Sequence, residues 1–233
     1  MLELKNISYF VGDKKSQKIL DKISIVFKPY ALTVITGPNG SGKSTLAEII
    51  MGIKKPSKGQ IVLEQTDIVD KSITDRTRLG IAFSFQQPVK FKGVNVYDLL
   101  NIASEAMISE SEAAIFLKKV GLESDKYLYP EINDKLSGGE LKRIEIASVL
   151  ARNAKLIIFD EPEAGIDLWS FENLIKVFKR LKSEKRTLII ISHQERIMKN
   201  ADEIVILENG RIKEKGSSAS VLPKIRKENH ELN

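Results

Sequence analysis

The chain has 233 residues, no cysteine, two histidines and a formal net charge of +6. Without cysteine it forms no disulfide and holds no zinc or iron–sulfur group through its own thiolates, so it must fold by burial alone. Hydrophobic residues make up 42% and charged residues 29%, which is typical of a globular domain. No apolar run approaches the roughly 18 residues of a membrane-spanning helix. We therefore expect a cytoplasmic protein with no direct membrane insertion.

Short β-branched runs bounded by turn residues predict strands along the chain. In chain order they are residues 23–27, 32–36, 60–63, 81–85, 156–159, 188–192 and 204–207. The runs at 32–36, 156–159 and 188–192 are apolar almost throughout, as is typical of strands covered on both faces in a parallel sheet. Glu208-Asn209-Gly210 predicts a hairpin turn at the edge of that sheet, leading into Arg211-Ile212.

The middle of the chain has the pattern of helices. Its apolar residues, among them Val96, Leu99 and Leu100, follow helical spacing. We predict the α/β fold class, with residues 88–152 forming a helical subdomain inserted between two strands of the sheet.

The positive charge is spread along the chain. The densest basic run, Lys224, Arg226 and Lys227, is followed at once by Glu228. Aromatic residues make up 6% and do not alternate with basic ones, so no stacking platform for nucleic acid is visible. The charge therefore indicates a solvated surface, and we expect no nucleic-acid partner.

A glycine-rich loop follows the predicted strand at 32–36. It matches G-x-x-x-x-G-K-[ST] between a strand and a helix, and its residues are Gly37, Pro38, Asn39, Gly40, Ser41, Gly42, Lys43, Ser44 and Thr45. Backbone N–H groups in such a loop converge on a polyphosphate, and the following helix adds the positive end of its dipole. Lys43 would meet the β- and γ-phosphates, and Ser44 would offer its hydroxyl to Mg²⁺. The loop predicts binding of ATP with Mg²⁺.

Two acids, Asp160 and Glu161, end the apolar run at 156–159. A carboxylate at the end of a buried strand is costly without a cation, so Asp160 is predicted to hold Mg²⁺, directly or through water. Glu161, one residue further, is predicted to orient or deprotonate the attacking water. The alternative is an acidic pair that caps the next helix.

A short motif, Leu136-Ser137-Gly138-Gly139-Glu140, begins a further predicted helix. Alone it is a serine-capped helix start. Between a phosphate loop and an acidic strand end, it resembles the signature motif of the ATP-binding-cassette (ABC) ATPases. Gln86 resembles that family's Q-loop glutamine, Ala164-Gly165-Ile166-Asp167 its D-loop, and His193 its switch histidine. The resemblance extends over residues 2–216.

The resemblance implies the fold of an ABC ATPase nucleotide-binding domain, with residues 1–233 as a single domain. Residues 1–87 and 153–233 would form a RecA-like mixed sheet core with N-terminal antiparallel β strands, and residues 88–152 the inserted helical subdomain with the signature. Catalytic roles would belong to Lys43, Glu161 and His193. Magnesium contacts would come from Ser44, Gln86 and Asp160. ATP contacts would come from the phosphate loop and from Gln86, Ser137, Gly138, Gly139, Glu140, Asp160 and Asp167.

The resemblance also implies an ATP-dependent homodimer within a hetero-oligomer. Two copies would enclose two ATP molecules, each completed by the signature of the other copy. The residues agree with this arrangement, because Ser137 and the amides of Gly138 and Gly139 form a donor-rich helix start without a phosphate of their own chain nearby. A single copy is therefore expected to be a poor ATPase.

Finer features resemble one branch of the family, the SufC-type soluble ATPases of iron–sulfur cluster assembly. The Q-loop reads Phe85-Gln86-Gln87-Pro88-Val89, the signature carries Glu140 where transporters more often have glutamine, and the acid Glu163 follows the acidic pair. We expect a Mg-dependent ATPase that drives cluster assembly on a SufB/SufD-like scaffold protein. The alternative is the ATP-binding subunit of a membrane ABC importer, which shares every catalytic residue. A nucleic-acid or ribosome-associated member would carry two cassettes or long coiled coils, neither of which is visible.

The segment after Gln86 is the expected docking surface for that partner, since a shift at the γ-phosphate moves this loop first. It begins at Pro88 and ends at Val94. Its apolar anchors would be Val89, Phe91 and Val94, with Lys90 and Lys92 as a basic rim. The alternative is that these residues only pack the helical subdomain onto the sheet.

The residue that stacks on adenine in this family is usually aromatic. It aligns here with Val11, which cannot stack, and Tyr9 and Phe10 are the alternatives.

Overall fold

The computed structural model describes residues 1–12, 17–133 and 135–231. The strands are β1 (Leu2–Val11), β2 (Gln17–Phe27), β3 (Leu32–Thr36), β4 (Lys58–Leu63), β5 (Thr66–Asp67), β6 (Ile81–Ser84), β7 (Leu156–Asp160), β8 (Thr187–Ile191), β9 (Glu203–Glu208) and β10 (Arg211–Ser217). The helices are α1 (Lys43–Met51), α2 (Ile73–Arg78), α3 (Val96–Ser104), α4 (Glu110–Lys119), α5 (Ser124–Tyr127), α6 (Gly138–Ala151), α7 (Leu168–Ser183), α8 (Glu195–Met198) and α9 (Ser218–Glu231). In the described part of the chain, none of these helices has the length and apolar character needed to cross a membrane.

The main sheet has six strands in the order β10-β9-β3-β8-β7-β6. All neighbours pair in parallel except β9 and β10, which form an antiparallel hairpin. The three apolar runs of the sequence are therefore adjacent central strands, as predicted. Asn209 and Gly210 both have positive φ in the hairpin turn, as a two-residue turn between twisted strands requires.

The central strands are covered on both faces. Along β8, Leu188 and Ile190 belong to one apolar cluster, whereas Ile189 and Ile191 belong to the other. Because successive side chains of a strand point to opposite faces, this alternation shows that β8 separates two cores. The prediction of a buried parallel sheet is confirmed.

A second, antiparallel sheet has the order β2-β1-β4-β5. Strand β1 pairs with β2 on one side and β4 on the other, with shifts of register along both ladders. The expectation of N-terminal antiparallel strands is confirmed, although β1 was not among the strands read from the apolar pattern.

Helices α3 to α6 follow β6 and precede β7 along the chain, so the helical segment is inserted between two adjacent strands of the main sheet. Helix α6 packs against α3, α4 and β6. Its apolar residues, including Ile144 and Ala147, join the cluster that covers one face of the sheet. The start of α6 is thereby held at a fixed place relative to the ends of the strands.

A buried arginine anchors α1, the helix that follows the phosphate loop. Arg76 is only 1% exposed, and its guanidinium donates to the carbonyl oxygens of Ile49 and Ile50 at 2.7 Å each and to that of Val69 at 3.0 Å. The first two of these bonds supply a side-chain donor to carbonyl groups in the last turn of α1, where the helix itself provides few donors. Gly52 makes room, since a Cβ there would lie 2.9 Å from Arg76 Nε.

Candidate functional site

The glycine-rich loop joins β3 to α1 and is pressed against two other strands. Gly37 has φ +138°, and a Cβ on it would lie 1.9 Å from the carbonyl oxygen of Leu207 in β9. Gly42 has φ +99°, and a Cβ there would lie 2.6 Å from Leu20 Cδ2 in β2. Only glycine fits both positions, so the loop is a tight backbone turn of the kind that can present N–H groups to an anion.

Lys43, the first residue of α1, folds back into this loop. Its side chain is 6% exposed, and Nζ donates to the carbonyl oxygens of Gly37 at 2.8 Å and Pro38 at 2.9 Å. Burial lowers the pKa of Lys43, while the carboxylates of Glu161 and Asp160 oppose that shift. The ammonium therefore lies at the centre of the loop and faces two acids.

Asp160 ends β7 beneath the loop. It is 4% exposed, and its Oδ1 accepts a hydrogen bond from Ser44 Oγ at 3.2 Å. Burial raises the pKa of Asp160 to about 6, so a nearby cation would stabilise the ionised form. A hydroxyl and a carboxylate are the hard oxygen ligands that Mg²⁺ prefers, with further ligands from water and phosphate. The residues fit a magnesium ion.

Glu161 lies next to that pair with an unusual backbone. Its φ is +44°, a region that costs a non-glycine residue about 1–3 kcal/mol and that concentrates at active sites. Its N–H donates to the carbonyl oxygen of Ile191 at 3.0 Å. Its Oε2 accepts from Gln86 Nε2 at 2.7 Å, and its Oε1 lies 4.0 Å from His193 Nε2. Two other predicted site residues, Gln86 and His193, thus lie beside the carboxylate of Glu161.

His193 follows β8, in a turn that the side chain of Ser192 stabilises. Ser192 is fully buried, and its hydroxyl accepts from the N–H of Gln194 at 2.9 Å and donates to Glu163 Oε1. Burial lowers the pKa of His193, and the Lys43 ammonium lowers it further. The carboxylate of Glu161 opposes these two effects on the pKa, and the net shift favours the neutral imidazole.

Glu163 and Ser192 were not predicted as site residues. Burial raises the pKa of Glu163, and its Oε2 is buried without a hydrogen-bond partner among the described atoms. The sequence signal was an additional acid after the acidic pair, but its partner lies 29 residues away. The bond between them links the loop after Glu161 to the turn that carries His193.

A cleft of about 570 Å³ lies beside this group of side chains. Its wall is formed by Ile19, Asn39, Gly40, Gly42, Lys43, Ser44, Thr45, Gln86, Glu161 and His193. Ser41 is 4% exposed, and Oγ of Ser41 is buried without a described hydrogen-bond partner. The structure therefore brings the predicted loop, base and histidine residues together at the carboxyl ends of the parallel strands, where ligands bind in open α/β sheets.

The signature residues lie elsewhere. Ser137 caps α6: its hydroxyl accepts from the N–H of Glu140 at 3.3 Å, and its own N–H donates to Glu140 Oε2 at 2.7 Å. Ser137 and Gly138 are exposed. A Cβ on Gly139 would lie 2.8 Å from the carbonyl oxygen of Gly165. No hydrogen bond or ion pair described for residues 1–12, 17–133 and 135–231 joins the signature to the phosphate loop.

Asp167 begins α7 as its capping residue. Its Oδ1 accepts from the N–H of Ser170 at 3.0 Å and its Oδ2 from the Ser170 hydroxyl at 2.7 Å. Because Gly139 approaches Gly165 closely, the loop that carries Asp167 lies beside the start of α6.

Both carboxylate oxygens of Glu140 are engaged within its own chain. Oε2 accepts from Ser137, and Oε1 accepts from the hydroxyl of Tyr127. The Tyr127 hydrogen bond, followed by those from Ser137, lowers the pKa of Glu140 from 4.5 to about 2. Glu140 thus fixes the start of the signature helix to α5.

Glu140→Gln tests that bond. A carboxyl whose pKa is lowered in the folded state adds stability above its unfolded pKa, and this stability is lost as pH falls toward the folded value. We expect the variant to unfold at a lower temperature than the parent at pH 7, with the difference shrinking below the ordinary pKa of 4.5 toward about 2. Thermal unfolding followed by circular dichroism over that pH range measures it. The exposed Glu123→Gln is the control, and a difference that does not change with pH would contradict the assignment.

The three candidates for adenine stacking lie near the end of β1. Tyr9 packs against the apolar cluster beneath the N-terminal sheet, and Lys18 Nζ lies 6.0 Å from the ring centre of Phe10. Val11 pairs with Gln17. The hydrophobic residue that reaches the cleft is instead Ile19.

Comparison with known proteins gives consistent matches. The family model described as ABC transporter matches residues 20–164. The chain is 36% identical over 229 residues to an uncharacterized ABC transporter ATP-binding protein of Methanocaldococcus jannaschii, over 95% of this chain and 90% of that protein. It is 33% identical over 225 residues to an energy-coupling factor transporter ATP-binding protein of Clostridium acetobutylicum, over 90% and 77%. The dimeric post-hydrolysis state of the ATP-binding cassette MJ0796, bound to ADP and Pi, is similar with a TM-score of 0.85 at 25% identity, over 94% of this chain and 99% of that one.

A strand, a phosphate loop and a helix at the carboxyl end of a parallel sheet define the class of P-loop nucleotide hydrolases. The insertion of α3 to α6 between β6 and β7 distinguishes this chain within that class. It belongs to the ABC transporter family, as one of its ATP-hydrolysing cassettes.

Proposed function

We propose that the cleft holds Mg-ATP, and that the residues around it cleave the γ-phosphate with water. The observation that carries this proposal is the convergence on one cleft of a buried lysine, a hydroxyl–carboxylate pair and a second carboxylate that contacts both Gln86 and His193. Magnesium held by Ser44, Asp160 and Gln86 would neutralise charge that develops on the phosphates.

Each residue has a distinct part in this chemistry. The amides of the phosphate loop and Lys43 orient the triphosphate, with Ser41 and Thr45 at the same turn. Glu161 accepts the proton of the attacking water, as its carboxylate is the one held beside Gln86. His193, kept neutral by burial, hydrogen-bonds to the γ-phosphate. Little covalent chemistry is required of the protein beyond this positioning.

We further propose that the signature acts on the nucleotide of a second copy. Ser137 and Gly138 are exposed and have no described bond to their own phosphate loop, while a helix start with free N–H groups favours an anion. The dimeric cassette with which this chain shares its fold supports the idea. The working form would be an ATP-dependent homodimer within a larger complex.

For the partner of this dimer, the relatives favour a transporter. Both relatives described above are named as transporter ATP-binding proteins. Our first candidate function is therefore that of the ATP-binding subunit of a membrane transporter. In this function two copies would close on ATP and thereby move a membrane component.

The second candidate is SufC-type cluster assembly on a SufB/SufD-like scaffold. It is favoured by the acid Glu163, which bonds to Ser192 beside the switch histidine, and by Glu140, which Tyr127 and Ser137 hold in place. Both acids occupy positions at which the sequence resembles that branch.

Either partner is proposed to dock beside Gln86. Val89 and Phe91 are 45% and 40% exposed, and together with Phe83 and Phe85 they line a cavity of about 130 Å³. Val94, in contrast, packs against the apolar cluster of the helical segment. The exposed part of the expected docking surface is therefore narrower than residues 88–94.

Truncating Val89 and Phe91 to alanine tests this surface. Apolar anchors at the centre of an interface are each worth about 2 kcal/mol or more, so we expect at least tenfold less companion protein to co-purify from native cells. Basal ATPase activity should not change. Ile102→Ala with Ile115→Ala is the control, because both residues are exposed, even more so than Val89 and Phe91, and lie away from the cleft. An undiminished complex in the Val89 and Phe91 variant would contradict the docking proposal.

Purification from native cells also separates the two candidate functions. A polytopic membrane companion that detergent releases would support the transporter. A water-soluble companion carrying an iron–sulfur cluster would support cluster assembly and exclude the transporter.

A further inference from the structure

A buried ion pair lies just beyond the signature on α6. Lys142 is wholly buried, and its Nζ lies 3.2 Å from Oε2 of Glu145, whose side chain is 13% exposed. Neither residue lines the cleft. Neither residue has a role in the hydrolysis proposed above.

This ion pair holds both backbone polar groups of Phe85. Lys142 Nζ donates to the carbonyl oxygen of Phe85, and Glu145 Oε1 accepts from the Phe85 N–H at 2.6 Å. Phe85 lies between Ser84, where β6 ends, and Gln86. A second contact joins Lys142 Nζ to Ser84 Oγ at 3.4 Å.

Stability alone is a poor reason for such a pair. The desolvation of two buried charges offsets their attraction, and apolar residues of similar volume are often as stable or more so. Charged groups do give short and directional hydrogen bonds. A lysine and a carboxylate that hold one N–H and one carbonyl of the same residue therefore fix that residue's position relative to α6.

The contacts form a continuous chain from the signature to the proposed base. Helix α6 begins at Gly138 and carries Lys142 and Glu145 within its first two turns. They hold Phe85, whose neighbour Gln86 donates to Glu161 Oε2 at 2.7 Å. One peptide bond joins Phe85, which the ion pair holds, to Gln86, which contacts the proposed base.

We infer that Lys142 and Glu145 are positioning residues that couple the signature helix to Gln86, so that a displacement of α6 on pairing of two copies sets Gln86 against Glu161 and the magnesium site. This inference rests on the proposed function, because it concerns the step at which Gln86 acts. The clamp, by which we mean Lys142, Glu145 and the backbone of Phe85, makes hydrolysis depend on the position of α6.

The test replaces both charged residues by methionine, Lys142→Met with Glu145→Met, which keeps the volume and removes the clamp. We expect a folded protein with ATP affinity within about twofold of the parent and kcat at least tenfold lower, with KM little changed. The matched control is Arg180→Met with Glu184→Met, an exposed ion pair on α7, which should leave kcat at the parental value.

A double-mutant cycle with Gln86→Ala distinguishes coupling from general damage. If the clamp acts through Gln86, adding the methionine pair to Gln86→Ala lowers kcat less than twofold further. If the two changes lower kcat independently, so that their effects multiply, the inference is overturned. It is also overturned if the methionine pair has parental kcat while Gln86→Ala has a reduced kcat. A Gln86→Ala variant with parental kcat would overturn the proposed role of Gln86 and the inference with it.

A second comparison needs only single substitutions and stands if the methionine pair does not fold. Glu145→Gln keeps an oxygen that accepts from the Phe85 N–H, whereas Glu145→Met does not. We expect kcat of the glutamine variant to exceed that of the methionine variant at least fivefold, and equal values would overturn the inference.

Discussion

Glu161→Gln should reduce ATP turnover by about 10²–10⁴-fold, the usual contribution of a general base, while ATP and Mg²⁺ still bind. Glutamine has nearly the same size, so the backbone at φ +44° and the contact with Gln86 are preserved. What is lost is the oxygen that takes the proton from water. Release of inorganic phosphate under saturating Mg-ATP measures the effect, and nucleotide titration measures the retained affinity.

The control for this variant is Glu172→Gln. Glu172 lies on α7 in an exposed ion pair with Arg196, and the same chemical change there should leave turnover intact. Hydrolysis by Glu161→Gln within a few fold of the parent would show that another group activates the water.

Lys43→Ala should weaken ATP binding itself. The ammonium is buried in the phosphate loop and faces Asp160 and Glu161, so its loss removes charge-assisted hydrogen bonds worth about 1.5–3 kcal/mol each. That corresponds to a rise of about 10–10²-fold or more in the dissociation constant. Isothermal titration calorimetry with ATP and Mg²⁺ is the measurement.

Lys54→Ala is the matched control for this effect. Lys54 lies just beyond α1, outside the cleft, and pairs with Glu48. The Lys54→Ala variant should therefore bind ATP with the affinity of the parent. If Lys43→Ala bound ATP as tightly as Lys54→Ala, the cleft at the phosphate loop would not be the nucleotide site.

The central sheet was predictable because burial on both faces leaves a continuous apolar run. Residues 32–36 coincide with β3, and the runs at 156–159 and 188–192 fall within one residue of β7 and β8. Strand β1 escaped the same reasoning. Its ladders with β2 and β4 shift register several times, which breaks the simple alternation that identifies a half-buried strand.

The candidate site was predictable where its chemistry is local in sequence. The phosphate loop is continuous, and Asp160 and Glu161 follow one strand directly. Contacts between distant segments left no such pattern: Lys142 meets Phe85 across 57 residues, and Ser192 meets Glu163 across 29. A lysine at 142 looks like one more charged residue on a helix until the fold shows that it is fully buried.

Sedimentation velocity of Glu161→Gln tests most directly whether this cassette works as a nucleotide-closed pair. With saturating Mg-ATP the variant should sediment as a dimer, because hydrolysis no longer releases the nucleotide between two phosphate loops and two signatures. With Mg-ADP it should sediment as a monomer. A variant that binds Mg-ATP and still sediments as a monomer would contradict the account.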